Sequence, residues 1–208
     1  MGRERALRAY HLFVTGPELD EIMDRYARGG DDAVFDELYR RGAPRVRGFL
    51  IRLCGDAALA DDLTQEAFLR IHRARGGFVA GAPALPWMLA IARNAFLDQA
   101  RRAQVRQKTS TRVDAEQGGA HAEAPPGTRG DEVLAAREML DVVRATLEAM
   151  PVPHREAFVL IRFEGLSVGE AAQILGTTEG AVKIRAFRAY EALRAELGRA
   201  TGGAGKSP

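Results

Sequence analysis

Ser167-Val168-Gly169-Glu170-Ala171-Ala172-Gln173-Ile174-Leu175-Gly176, followed by Thr177-Thr178-Glu179-Gly180-Ala181-Val182-Lys183-Ile184-Arg185, reads as two short helices joined by a tight turn. Ser167 and Glu170 have the spacing of a capping box, in which each side chain satisfies a backbone amide of the first turn. Ala171, Ala172 and Leu175 supply small or apolar packing. Gly176 offers the left-handed residue that ends a helix. Thr178 can cap a second helix whose apolar positions, Val182, Ala186, Ala189 and Leu193, recur at helical spacing. Lys183, Arg185, Phe187 and Arg188 project between them. This is a helix-turn-helix with a basic second helix, the form that enters a major groove.

Working back from that unit, the chain reads as helix throughout, because strand-like alternation is absent. Pro17 suits the first turn of a helix carrying Leu19, Ile22, Met23 and Tyr26 on one stripe, and Gly29-Gly30 ends it. A second helical stretch starts at Asp32 and contains Phe35, Leu38 and Tyr39; Pro44 is expected to kink or interrupt it before the apolar face resumes through Val46, Phe49, Leu50 and Leu53. A third covers about 57–73, with Leu59, Leu63, Ala67, Phe68 and Ile71 inward and Asp62, Glu66 and Arg70 at i, i+4 steps opposite. After the loop Gly76 to Pro83 a fourth runs from Trp87 to about Arg106, its apolar set including Trp87, Leu89, Ile91, Ala95 and Leu97.

Residues 107–132 differ in character. They are poor in apolar residues, contain Gly118-Gly119 and Pro125-Pro126-Gly127, and hold three basic against five acidic side chains, which predicts an acidic flexible linker. Helices resume near Val133 with Leu134, Leu140, Val143 and Leu147 on a face, turn at Met150 to Pro153, and continue from His154 to Glu164. The predicted fold class is all-α: two small helical domains joined by a flexible linker, the C-terminal one a helix-turn-helix. The expected divisions are an N-terminal extension (1–16), a first domain (17–106), the linker (107–132), a second domain (133–197) and a Gly-rich tail (198–208) predicted to be disordered.

Composition bounds the function. With 208 residues, 30 Lys+Arg against 28 Asp+Glu and a net charge of +2, the chain is no polycation, so its basic residues act through clustering. One cysteine, Cys54, excludes an internal disulfide and a Cys-based zinc site, and reads as a small packed side chain. No apolar run approaches the roughly 20 residues of a membrane span, and no secretory signal is evident, so the expected location is cytoplasmic. The four histidines have no paired-ligand spacing. Gly205-Lys206-Ser207 imitates a phosphate loop, but Ala200 stands where the motif needs glycine. No catalytic residue, cofactor or metal is therefore expected.

Two further faces carry candidate chemistry. Arg93, Asn94, Asp98, Arg101 and Arg102 share the polar side of the fourth helix; Asn and Asp can bond to base edges while arginines neutralise phosphate. Trp87 and Phe78 offer stacking surfaces nearby, although a lone Trp at a helix start is more simply core. On the third helix Asp62, Gln65 and Glu66 with Phe68 form an acidic amphipathic face, which spacing alone assigns to solubility, with a Glu66–Arg70 pair worth a few tenths of a kcal/mol.

With these pieces in place the chain resembles the extracytoplasmic-function sigma factors of bacterial RNA polymerase. The resemblance spans about 19–106 and 133–197 and rests on Asp61-Asp62-Leu63-Thr64-Gln65-Glu66-Ala67-Phe68-Leu69-Arg70, Pro86-Trp87-Met88-Leu89-Ala90-Ile91-Ala92-Arg93-Asn94, Glu164-Gly165-Leu166-Ser167 and Val182-Lys183-Ile184-Arg185-Ala186-Phe187-Arg188-Ala189. It implies that Asp62, Gln65, Glu66 and Phe68 dock on the clamp of core polymerase. It implies that Arg93, Asn94, Asp98, Arg101 and Arg102, with the loop before them, read the −10 element and capture a flipped base. Ala181, Lys183, Ile184, Arg185, Phe187 and Arg188 are implied to bind the −35 element. The implied partners are core RNA polymerase, promoter DNA and an anti-sigma factor, without membrane insertion. Ile184 stands where the family often has a small polar residue, and His72 where tryptophan is common. A linker of roughly 25 residues spans at most about 85 Å, enough for two DNA turns of about 70 Å. The rival reading is a one-component helix-turn-helix regulator that binds operator DNA without polymerase.

Overall fold

The computed structural model describes residues 17–109 and 130–202. The expectations for the N-terminal extension, most of the linker and the last residues of the tail lie outside them. Eight α-helices occur among the described residues: α1 (Pro17–Ala27), α2 (Asp32–Cys54), α3 (Ala57–Ala74), α4 (Ala84–Thr109), α5 (Gly130–Ala149), α6 (Val152–Arg162), α7 (Val168–Leu175) and α8 (Glu179–Gly202), with a 3-10 turn at Arg75–Gly77.

Local chemistry accounts for the boundaries. The Asp31 carboxylate accepts from the Val34 amide to open α2, and Asp56 accepts from Leu59 to open α3. Gly55, at φ 74°, closes α2 with its amide on the Ile51 carbonyl. Leu19, Ile22, Met23 and Tyr26 line the buried side of α1, as their spacing predicts. Four expectations are corrected. Pro44 does not interrupt α2, which runs unbroken through it. An internal proline costs about 3 kcal/mol, and the burial of Leu38, Val46, Phe49 and Leu50 around it offsets that cost. Helix α4 begins at Ala84, ahead of Pro86, and buries Leu85, Met88, Leu89, Ala92 and Phe96. Trp87, expected as core, is half-buried at the core's edge, edge-on to Phe78 with ring centroids 5.3 Å apart. Finally, α8 continues past Leu197 to Gly202, so the tail begins later than its glycines imply.

In the first domain α2, α3 and α4 pack on one another with α1 across them. Gly42 makes a close approach possible: a Cβ there would lie 2.7 Å from the Met88 methyl. In the second, α8 packs on α5, α6 and α7. A small core of Leu147, Met150, Phe158, Ala189 and Leu193 belongs to this domain alone. The main core, however, is shared: Val159, Leu160, Leu166, Ala171, Leu175 and Val182 join the same buried cluster as Leu50, Leu53 and Leu89. Helix α2 meets α5 and α6, and α4 meets α7, so the two domains are closed on each other.

Candidate nucleic-acid and polymerase interfaces

The helix-turn-helix forms as its residues dictate. The Glu170 amide donates to Ser167 Oγ (3.2 Å), and the Ser167 amide donates to Glu170 Oε2 (2.8 Å). Gly176 closes α7 in the left-handed region at φ 60°. The Ala181 amide donates to Thr178 Oγ1 at 3.2 Å, which caps α8. Val182 and Ala189 are buried while Lys183, Ile184, Phe187 and Arg188 are exposed, with Ala181 and Arg185 half-buried beside them. Ile184 and Phe187, 57% and 63% exposed, give this basic face an apolar centre of the sort that meets a thymine methyl. Neither Arg185 nor Arg188 forms an ion pair among the described residues.

The α4 residues divide. Asn94, Arg101 and Arg102 are exposed on one side of the helix. Asp98 lies with them, but its carboxylate accepts from Arg70 (2.7 Å) and Arg101 (3.1 Å). The Arg70 hydrogen bond holds the Asp98 carboxyl below its usual range, so this side chain organises arginines instead of standing open to a base. Arg93 points elsewhere. Its Nε and Nη2 donate to Glu156 Oε1 and Oε2 at 2.7 and 3.2 Å, and Nη1 reaches the Ile174 carbonyl at 3.3 Å. The structure therefore does not bring Arg93 onto the open face with Asn94. It sits in the seam between domains, its partner Glu156 only 3% exposed.

On α3, Asp62 and Gln65 are exposed and Glu66 is paired with Arg70 at 2.8 Å. Phe68 departs from the docking expectation. It is 2% exposed, with its ring against Tyr39 at 4.7 Å and Phe35 at 6.3 Å, and it belongs to the core. This is the inward place that the helical spacing of α3 gives it; the exposed apolar side chains here are Leu69 and Tyr39. Tyr39, Arg47, Asp61 and Gln65 line a groove of about 470 Å³ between α2 and α3. Arg47 donates to Asp61 and thereby lowers that carboxyl's pKa.

The polar seam between domains left no local trace in sequence. Arg45 Nη2 donates to Glu164 Oε2 at 3.0 Å, and Arg52 Nη1 lies 3.4 Å from Oε1 while its guanidinium covers the Phe163 ring at 4.6 Å. Burial raises the Glu164 carboxyl pKa, a shift the two arginines only partly oppose. Arg155, buried, donates to the Leu53 carbonyl at the end of α2 and to the Glu148 and Met150 carbonyls at the end of α5 (3.1 and 3.2 Å). One guanidinium thus joins two helix C-termini, where a cation is favoured by the carbonyl dipoles. Its burial lowers the Arg155 pKa.

Two family models match in order: Sigma-70 region 2 over residues 38–106 and Sigma-70 region 4 over 140–193. The chain is 38% identical to the RNA polymerase sigma factor CarQ of Myxococcus xanthus, covering 85% of this chain and 95% of that protein. It is 33% identical to the ECF RNA polymerase sigma factor SigM of Mycobacterium tuberculosis, covering 83% and 80%. The chain belongs to the extracytoplasmic-function sigma factors. Two solved structures are similar to this sigma factor. The sigma factor RpoE, in complex with the anti-sigma factor NepR from Bartonella quintana, aligns with a TM-score of 0.67 at 28% identity, over 78% of this chain and 96% of that one. CnrH, in complex with the cytosolic domain of CnrY, aligns with a TM-score of 0.61 at 26% identity, over 86% and 97%. Among the described residues of this sigma factor no helix is long and apolar enough to cross a membrane, and no cluster of possible metal ligands occurs.

Proposed function

We propose that this sigma factor reads a bipartite promoter with two separate helix faces, and that the closed arrangement described here is its unloaded state. As a sigma factor it binds core RNA polymerase and directs promoter recognition, strand opening and initiation. Region 2, taken as 17–106, docks through Asp62, Gln65 and Glu66. It reads the −10 element with Asn94, the residue aimed at an extruded base, while Arg101 and Arg102 hold phosphate. Region 4, taken as 133–197, places the exposed face of α8 in the −35 major groove, with Lys183, Arg185 and Arg188 on phosphates or base edges and Ile184 and Phe187 among them. The protein works in the cytoplasm and catalyses nothing itself; the polymerase supplies the chemistry.

The observation that carries the unloaded state is the Arg93–Glu156 pair. Two modules in contact cannot reach elements two DNA turns, or about 70 Å, apart. Loading must therefore part α4 from α7 and release Arg93, which then joins Asn94 at the −10 element. Glu156 occupies the guanidinium much as a phosphate would, since both accept a bidentate fork. The similarity to the sigma factor RpoE, solved with the anti-sigma factor NepR, supports a protein antagonist of this one too.

Reconstituted run-off transcription tests the assignment. Core enzyme with this chain should initiate at a defined promoter and core alone should not. A gel shift separates the rival reading: a one-component regulator binds a duplex operator without core enzyme, whereas this chain needs it. Affinity for duplex without core, together with none for core, would overturn the proposal.

A further inference from the structure

The loop between the 3-10 turn and α4 has an unusual support. The Ala82 amide donates to the Val79 carbonyl at 3.0 Å, closing a tight turn whose third residue, Gly81, stands at φ 78°. That turn holds Val79 out into solvent, 72% exposed. The loop's own side chains cannot fix it, because between Val79 and Ala84 they are alanine, glycine, proline and valine. Pro83, just before α4, carries no acceptor to cap the helix. Both missing functions come from α1. Asp24 accepts from the Gly81 amide through both carboxylate oxygens, at 3.0 and 3.2 Å. Asp20, one turn earlier on the same face, accepts from the Ala84 amide at 2.7 Å. A carboxylate is well suited there, because the first amides of a helix carry partial positive charge.

We infer that Asp20 and Asp24 are positioning residues for −10 recognition, strapping the Val79–Ala84 loop in the shape that meets the extruded base. The inference rests on the reading above that this loop and α4 face the −10 element. The two carboxylates touch backbone amides and need not touch DNA. They define where the turn ends and α4 begins, and so the relation between the Val79 tip and Asn94, which lies ten residues beyond Ala84 along the helix. Neither aspartate is explained by core packing, since both stand on α1 positions outside its buried stripe. Among the described residues Asp24 forms one ion pair, with Arg28 at 3.6 Å on a largely exposed side chain, so its carboxylate is committed mainly to the loop.

The experiment uses full-length chain in reconstituted holoenzyme, with promoters carrying each base at the extruded −10 position and open-complex formation followed by a fluorescent base analogue. Asp24→Ala and Asp20→Ala should each reduce discrimination among the four bases on the order of tenfold, the scale of a small displacement in a positioned site. Affinity for core enzyme, and for a fragment carrying only the −35 element, should stay unchanged. Asp24→Asn, which keeps an acceptor for Gly81, should restore most of the discrimination. Gly81→Ala, which disturbs the turn while leaving both aspartates in place, should mimic Asp24→Ala. A purely structural strap would instead lower the melting temperature, the affinity for core enzyme and the affinity for the −35 fragment together, and that result overturns the inference. A Val79→Gly tip variant separates the two layers. If the tip variant loses discrimination while Asp24→Ala keeps it, the strap is wrong. If neither changes discrimination, the loop does not read the −10 element, and the underlying assignment falls with the inference.

Discussion

Arg93 and Glu156, sixty-three residues apart in the chain, meet in a two-pronged ion pair at 2.7 and 3.2 Å, with Glu156 almost wholly buried. Arg93 belongs to α4, the helix that carries Asn94, and Glu156 to α6 of the other domain. On the proposed function the guanidinium would serve one partner at a time: the carboxylate in the closed molecule, or promoter DNA in an open one.

Removing the carboxylate should open the molecule. Breaking a buried pair by deleting one partner costs about 3–5 kcal/mol, so Glu156→Ala should shift the closed-to-open equilibrium on the order of a hundredfold or more. Small-angle scattering of the free chain checks this through a larger radius of gyration. The same variant should bind single-stranded −10 DNA more tightly than the wild type. Unchanged dimensions would show that the pair does not hold the domains together.

The exposed readers should act on separate elements. Arg188→Ala should weaken −35-dependent initiation by about 1–3 kcal/mol, and Asn94→Ala should relax base preference at the −10 element by a similar amount. Transcription from promoters mutated in one element at a time resolves the two. Equal loss at both elements from either variant would contradict the division of labour.

Phe68 and Leu69 should part company. Phe68 is core, so Phe68→Ala should destabilise the fold by about 3–5 kcal/mol. Leu69 is 51% exposed, so Leu69→Ala should leave the melting temperature close to wild type and lower the affinity for core polymerase. Thermal melts and a core-binding titration on both variants settle which side chain faces the enzyme.

Acid should stabilise the folded chain through Glu164. Burial raises this carboxyl above its ordinary 4.5, against the pull of Arg45 and Arg52. The folded chain then holds a proton at pH values where the unfolded chain has released it. This group's contribution to stability accordingly falls as pH rises from 4.5 through the raised value, and returns on acidification across the same window. Glu164→Gln removes that titration, so the slope of Tm against pH just above 4.5 should differ between variant and wild type in that sense. Parallel slopes would contradict it.

The helix-turn-helix was legible to the residue, because its caps are local: Ser167 with Glu170, Gly176 and Thr178 act within one turn of where they stand. The stripe of α1 was legible for the same reason. The seam was not. Arg45 meets Glu164 across 119 residues and Arg155 meets Leu53 across 102, and no periodicity within a helix encodes such pairs. The place of Arg93 in the seam is hidden for the same reason: its neighbours in sequence make it look like one more cation on a polar face, and only its bonds to Glu156 and the Ile174 carbonyl show it turned inward. Pro44 misled in the opposite sense, since its local penalty is overruled by burial on both sides of it.

The most direct test is energy transfer between dyes on exposed Glu21 and Ala195, one in each domain, with Cys54 replaced by Ser. The free chain should show high transfer that falls when core polymerase is added and stays low on promoter DNA, as the modules separate toward about 70 Å. The same transfer in the free chain and in the holoenzyme would contradict the account.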